Sequence, residues 1–359
     1  MTRLRVCIVA PSLDIVGGQA VVAQRLMQHL AGDADLAISF LPHNPRLPGV
    51  LRALQRVKYL RTITTSVAYV VSLLRELPRH DVIHVFSASY WSFLLAPTPA
   101  VLLGRLFGKR VILNYRSGEA DDHLTRWRWL APAVMRRASL IVVPSNYLVD
   151  VFARHGLVAT SIFNFVDVSS IPYRERGPLR PRFLGNRNFA PHYNVSCVLR
   201  AFRLIQDEHP EARLVVAGDG EERESLHALA RELDLRHVDF VGQVTPTAMA
   251  ELYDAADVYL NAPNVDNMPN SIIESFAAGL PVVTTSAGGI PYIVTHEQTG
   301  LLVSPEDHRS LAEGALRLLA DPALGQRLAR AARQELLAKY TWRAVHPEWR
   351  SAYAGRSGG

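Results

Sequence analysis

The sequence predicts an α/β protein made of two successive domains, each built on a parallel sheet. Three observations carry this. A chain of 359 residues is long for one hydrophobic core and comfortable for two. Short, continuously apolar, β-branched runs alternate with helical patterns, as expected for strands covered by helices on both faces. The alternation breaks once, in a polar stretch with three prolines at 168–182, and then restarts.

In the first half the predicted strands are Arg5–Ala10, Asp81–Phe86, Arg110–Asn114 and Leu140–Val143, with a helix from about Gln19 to Leu30. Val168–Arg182 is the expected linker. Beyond it, strands are predicted at Leu214–Ala217, Val238–Val241, Val258–Asn261 and Pro281–Thr284. Helices are predicted at Glu221–Leu235, from Ser271, at Leu311–Leu319 and at Ala323–Tyr340. In open α/β sheets ligands bind beyond the C-terminal strand ends, so residues just after each strand are the candidates for function.

Composition narrows the classes. With 48% hydrophobic and 20% charged residues, the chain is globular rather than disordered. Two cysteines, Cys7 and Cys197, sit apart in apolar runs with no metal-ligand spacing, which suggests reduced thiols and a cytoplasmic setting. The N-terminal apolar run is too short for a signal peptide. The longest apolar stretch, Thr62–Leu74, falls well below the roughly 20 residues that cross a bilayer. Residues 1–170 carry 19 Lys and Arg against 10 Asp and Glu, net +9; the remainder carries 20 against 23, net −3. Within the basic half, Val50–Pro78 holds Arg52, Arg56, Lys58, Arg61 and Arg75. A basic amphipathic stretch of this kind suits either a solvated helix face or an anionic membrane surface. Nucleic acid is not expected, because the basic residues lack interleaved aromatics and no recognition motif is present.

Four constellations carry chemistry. In Asp266–Gly289 a loop precedes a helix expected to start at Ser271. The first-turn N–H groups of Ser271, Ile272 and Ile273, with Asn270 beside them, make an anion site suited to a diphosphate. Asp266 and Glu274, eight positions apart, can accept hydrogen bonds from sugar and ribose hydroxyls; equally, acids here complement a helix N-terminus. In Phe183–Val195, Arg187 follows a strand and offers a guanidinium suited to phosphate oxygens. Gly17 and Gly18 stand in the turn after the first strand, which is turn geometry or a close approach to phosphate. After Asn114, the residues Arg116, Glu119, Asp121, Asp122 and His123 crowd one loop. Glu119 can bind acceptor hydroxyls, and His123 is as plausibly a surface histidine as a site residue.

The segment around Glu274, with Gly279, Pro281-Val282-Val283 and Gly288-Gly289, resembles the C-terminal signature of glycosyltransferase family 4. The resemblance extends to Thr299–Val303 and to Val216–Gly220, and it places Gly218 in the donor site. It implies a GT-B fold: two Rossmann-like doubly wound domains facing a central cleft, with 1–170 binding acceptor, 180–340 binding donor and 341–357 crossing back onto the first domain. It implies a retaining hexosyltransferase-type enzyme that uses a UDP- or GDP-linked sugar, a glycan or lipid-linked acceptor and no metal or other cofactor. Arg187, Asp266 and Glu274 would be its catalytic residues. Gly17 and Gly18 would approach donor phosphate, and Arg116 and Glu119 would line the acceptor side. Cell-surface polysaccharide assembly in the cytoplasm, peripheral on the inner membrane face, is the setting it suggests. The chain departs from the pattern at Asp266 (usually Glu), at Tyr292 (often an acid), at His192 and Tyr193 (where a Lys is usual) and at Arg116 (commonly His). A GT-B sugar-nucleotide epimerase and a non-catalytic sugar-nucleotide-binding subunit are the alternatives.

Overall fold

The computed structural model describes residues 3–14, 18–47 and 57–355. The chain divides into two compact units, Met1–Ile162 with His346–Gly359, and Phe163–Val345.

The first unit is a parallel sheet of β1 (Leu4–Ala10), β2 (Leu36–Pro42), β3 (Val82–Ser87), β4 (Arg110–Tyr115), β5 (Leu140–Val143) and β6 (Thr160–Ser161). Their order is β2-β1-β3-β4-β5-β6, so the winding reverses between β1 and β3. Helices α1 (Gly18–Leu30), α2 (Lys58–Glu76), α3 (Tyr90–Leu95), α4 (Pro97–Leu106), α5 (Ala120–Arg126), α6 (Leu130–Met135) and α7 (Asn146–Arg154) fill the connections. β3 is buried along its whole length and β1 from Val6 on, which is why both read as largely apolar runs. The edge strand β2 is mostly half-buried and carries Ala37 and Ser39. That weaker pattern hid it in the sequence.

The second unit repeats the plan with β7 (Arg182–Asn186), α8 (Val195–Glu208), β8 (Arg213–Ala217), α9 (Arg223–Glu232), β9 (Val238–Gly242), α10 (Pro246–Ala255), β10 (Val258–Asn261), α11 (Asn270–Ala278), β11 (Val282–Thr285), β12 (Leu301–Val303), α12 (His308–Ala320) and α13 (Pro322–Lys339). The strand order β12-β11-β10-β7-β8-β9 is parallel throughout and reverses between β7 and β10. Side-chain caps start several helices: Asn194 accepts from Cys197 N–H, Thr245 from Ala248, Asp307 from Ser310 and Asp321 from Leu324.

The division between units falls at Ile162/Phe163, earlier than the expected linker. Electrostatics explains why Val168–Arg182 stays with the second unit. Buried Asp257 accepts from Arg180 Nε (2.6 Å) and Arg174 Nη2 (3.0 Å). Burial works against the charged form of Asp257, but these bonds outweigh it and hold its pKa below the usual value. Arg176, also buried, donates to the carbonyls of Ala256 (3.0 Å) and Tyr253 (2.7 Å). At the other end, α14 (Trp342–Ala354) contributes its residues from His346 on to the first unit. Trp349 stacks on His84 at 4.8 Å, Tyr353 Oη meets His84 Nδ1 at 2.9 Å, and Arg110 Nε donates to the Ala352 carbonyl at 2.9 Å. Both cysteines are buried free thiols; burial pushes Cys7 up to about 11 and Cys197 up to about 12. Among the described residues no helix is long and apolar enough to cross a membrane.

Candidate functional site

The reversal between β7 and β10 leaves a crevice at their C-terminal ends, because the connections depart to opposite sides. Arg187 leaves β7 directly into this place. Asp266 sits in the loop after β10, and α11 begins at Asn270. The fold therefore brings together Arg187, Asp266, Asn270, Ser271 and Glu274, all in the second unit.

Arg187 is the centre of the arrangement. Its Nη2 donates to Asp266 Oδ2 at 2.5 Å and its Nη1 to Ser271 Oγ at 3.3 Å. Its guanidinium lies over the Tyr193 ring, 3.9 Å from the centroid. The Arg187 and Asp266 side chains are only 12% and 13% exposed. Burial alone would lower the Arg187 pKa; the Asp266 carboxylate outweighs it, and the net shift is upward. Asp266 is thus first a partner of Arg187. Its other oxygen accepts from Asn267 N–H at 2.7 Å.

The helix α11 starts at Asn270, one residue before the expected Ser271, and this moves the free donors. Its cap position is Pro269, which has no N–H and gives no side-chain cap. Asn270 and Ser271 hold the open first-turn positions. Ile272 N–H turns back to the Pro269 carbonyl at 3.2 Å. Ile273, fourth in the helix, falls within the regular ladder. The side chains of Ile272 and Ile273 are buried in the core. Glu274 is half-buried, and its Oε2 accepts from Tyr253 Oη at 3.0 Å. Tyr253 Oη in turn accepts from Asn186 Nδ2 at 2.8 Å. Burial, and then the Glu274 charge, push the Tyr253 pKa well above the ordinary tyrosine value, so it stays a hydrogen-bond donor.

Five buried polar atoms around this crevice have no hydrogen-bond partner among the described residues: Asn186 Oδ1, Arg187 Nε, Tyr259 Oη, Asn261 Oδ1 and Asn270 Oδ1. Such atoms cost about 1–3 kcal/mol each when left unpaired, and their clustering at the ends of β7 and β10 marks a place built for a polar ligand.

The glycines serve the backbone around it. Gly288 has φ +52, and a Cβ there would lie 2.1 Å from the Asp266 carbonyl oxygen; one on Gly289 would lie 2.0 Å from that of Asn267. The loop after β11 thus seats directly on the loop that carries Asp266, and Gly289 N–H bonds the Asp266 carbonyl at 2.9 Å. Gly218 has φ +149 and lies against the Arg187 carbonyl, so it supports the arginine from behind. Gly185 lies within β7 facing the Leu260 carbonyl.

The remaining candidates belong to the first unit. Gly18 opens α1, and Gly17 lies outside the described residues. Arg116 follows β4, reaches Asn114 Oδ1 at 3.3 Å and lies 5.7 Å from the Phe86 ring centroid; burial lowers its pKa to about 10. Glu119 is exposed and precedes α5. His123 is not a surface histidine. It is fully buried, its Nδ1 lies 3.0 Å from Tyr115 Oη, and burial lowers its pKa to about 4. It sits on the inner side of α5, a helix the sequence reading did not resolve. Arg52 and Arg56 lie outside the described residues.

The profile of the family described as Glycosyl transferases group 1 matches residues 180–335, and that of Glycosyltransferase Family 4 matches 16–170. The chain belongs to glycosyltransferase family 4. It is a glycosyltransferase, and its two parallel six-stranded sheets have the GT-B fold. Among similar proteins, glycogen synthase of Mycobacterium tuberculosis is 29% identical over 287 residues, covering 74% of this chain and 67% of that protein. A sulfoquinovosyl transferase of Arabidopsis thaliana is 25% identical over 312 residues, covering 80% of this chain and 59% of its own length. Anabaena HepE, solved in complex with UDP-glucose, superposes with a TM-score of 0.78 at 16% identity, over 98% of this chain and 100% of its own. Sucrose-phosphate synthase from Thermosynechococcus elongatus gives 0.76 at 19% identity, over 98% and 99%. Where family 4 usually has a lysine after the arginine, this chain places Tyr193 on the arginine's face. Tyr253 and Asn186, which pin Glu274, carried no signal in the sequence, because a tyrosine on an amphipathic helix reads as core.

Proposed function

We propose that this glycosyltransferase moves a sugar, with retention of anomeric configuration, from a nucleoside-diphosphate sugar to a glycan or lipid-linked acceptor. The observation that carries the reading is Arg187. It is a buried guanidinium fixed by Asp266, Ser271 and Tyr193 beside the open end of α11, and charge on a leaving diphosphate needs such a group. The N–H groups of Asn270 and Ser271 add further donors. Glu274, held by Tyr253, is placed to accept from ribose hydroxyls. Asp266 keeps free lone pairs for the donor sugar while orienting the arginine.

In the reaction the bond from the anomeric carbon to the diphosphate oxygen breaks, and the nucleoside diphosphate leaves with the electron pair. The acceptor hydroxyl attacks the same face, and its proton passes to a leaving phosphate oxygen. With the Asp266 carboxylate committed to Arg187, the leaving phosphate is the base at hand. Arg187 and the helix donors meet the developing charge, so this reading calls for no metal or other cofactor. The complex of the related fold with UDP-glucose supports a nucleoside-diphosphate hexose as donor. Polysaccharide or glycolipid assembly on the cytoplasmic side of a membrane is the setting that fits the basic first half.

The test is a thermal-shift screen of UDP- and GDP-sugars with the full chain, repeated with Glu274→Ala. One donor should raise the unfolding temperature of the wild type. The variant should fold normally and bind that donor about tenfold or more weakly, as expected for lost charge-assisted hydrogen bonds. Equal donor affinity in the variant overturns the ribose assignment.

A further inference from the structure

The helix α2 has a face that the transferase reading does not use. Tyr69, Leu73 and Leu77, at its end and just beyond, are buried in the core of the first unit. Leu60, Ile63, Val67, Val71 and Leu74 are exposed instead, Ile63 and Val67 at 61% and 59%. At 100° per residue these five positions fall within about 80° of the helix circumference and extend along about 21 Å of its axis. The helix packs against α4, whose Leu102 and Leu106 are also exposed. An apolar stripe of this length on a surface helix is the mark of an interaction site.

Charge says what it meets. Exposed Arg61 and Arg75 flank the stripe on one side. From 57 to 110 the chain carries seven Lys or Arg against Glu76 and Asp81 alone, net +5. An apolar band bordered by arginines matches the interface of an anionic bilayer, with the band among acyl chains and the guanidinium groups among headgroup phosphates. On the arginine side of the same helix lies a cavity of about 700 Å³, lined by Arg61, Thr62 and Thr65 of α2, His43 and Arg46 after β2, and Phe86 of β3. It opens where the winding of the first sheet reverses, the usual ligand position of such a sheet. Its lining is mixed, with Arg46 paired to Asp14, Arg61 at the α2 side and Leu95 and Pro97 opposite, which fits the junction of a polar head with the tail of an amphipathic molecule.

We propose that the outer face of α2 seats the protein on an anionic lipid surface, and that the acceptor is membrane-borne, its polar head entering this cavity. The acceptor part rests on the transferase reading; the docking part does not. The experiment uses the full chain with phosphatidylcholine vesicles, with and without about a third phosphatidylglycerol, and the double variant Ile63→Asp/Val67→Asp. Both side chains are exposed, so folding should survive; the unfolding temperature and donor hydrolysis by water should match the wild type. The wild type should sediment with anionic vesicles, less so at high salt. The variant should partition about tenfold less, because charged side chains would have to enter the apolar layer. Sugar transfer to an acceptor in membrane extract should fall in parallel. Wild-type protein that ignores anionic vesicles, or a variant that binds them equally, overturns the docking. So does a wild-type dimer that the variant dissociates, since the stripe would then cover a second copy of the chain. Normal transfer to the membrane extract by the variant overturns the membrane-borne acceptor. Absence of sugar transfer by both proteins, with the wild type still sedimenting, would instead strike the proposed reaction and leave the docking standing.

Discussion

The pairing of Arg187 with Asp266 allows stability and chemistry to be separated. Arg187→Ala removes the guanidinium and leaves the Asp266 carboxylate largely buried without its cation. A fully buried pair broken in this way costs about 3–5 kcal/mol; with roughly an eighth of each side chain still exposed, about 2–3 kcal/mol is expected here. For a unit the size of Phe163–Val345 that is a fall of about 5–10 °C in unfolding temperature. Turnover should fall further than folding explains, by about 10²–10³, the usual loss when one preorganised donor to a developing charge is removed. Adding Asp266→Asn to the variant removes the stranded charge. Stability should recover by about 1–2 kcal/mol, because the neutral amide is cheaper to bury. Turnover should stay down, because no cation faces the leaving group. Thermal unfolding and single-turnover transfer, measured on the wild type, both single variants and the double variant, check this. If turnover returns with stability in the double variant, Arg187 is a structural residue and the leaving-group argument fails.

Other outcomes follow from the same site. Tyr253→Phe deletes the hydroxyl between Asn186 and Glu274; it should cost about 1–2 kcal/mol of stability and raise the donor KM more than it lowers kcat. An unchanged KM would show that Glu274 needs no such support. Gly288→Ala should destabilise the second unit by about 2 kcal/mol or more and weaken donor binding, since its Cβ would collide with the Asp266 carbonyl at positive φ; wild-type behaviour in denaturant titration would contradict this. Acid should weaken the first unit before carboxylates titrate. Burial lowers the His84 pKa to about 3 and those of His43 and His123 to about 4, whereas the unfolded chain takes up these protons near 6.5. Between about pH 6.5 and 4 the unfolded state binds more protons, so stability is full above this window and is lost as pH falls through it. Unfolding temperatures that stay flat from neutral pH to about 5 would refute the burial of these neutral imidazoles.

Much of the architecture could be read along the chain because parallel strands covered on both faces leave a local signature. The runs that became β1, β3, β4 and β10 are mostly apolar, whatever else the chain does. The loop before α11, Glu274 and Arg187 were legible for a similar reason: residue type and distance from a strand end are properties of the linear sequence. Edge strand β2 escaped, because an edge is half solvated and its alternation is weak. The division at Ile162/Phe163 escaped too, since a proline-rich segment looks like a linker until Asp257, some eighty residues on, is seen to hold it. The same distance effect governs the site. The spacing of Asp266 and Glu274 suggested two free acceptors for sugar hydroxyls. In the folded unit Asp266 binds Arg187, Tyr253 holds Glu274, and Gly218 and Gly288 work behind the arginine and the aspartate. Those partners come from the connections after β7, β8, β10 and β11 and from within α10, and only assembly of the sheet brings them together. Local residue patterns thus picked out the candidate groups, and packing established what each of them is bonded to.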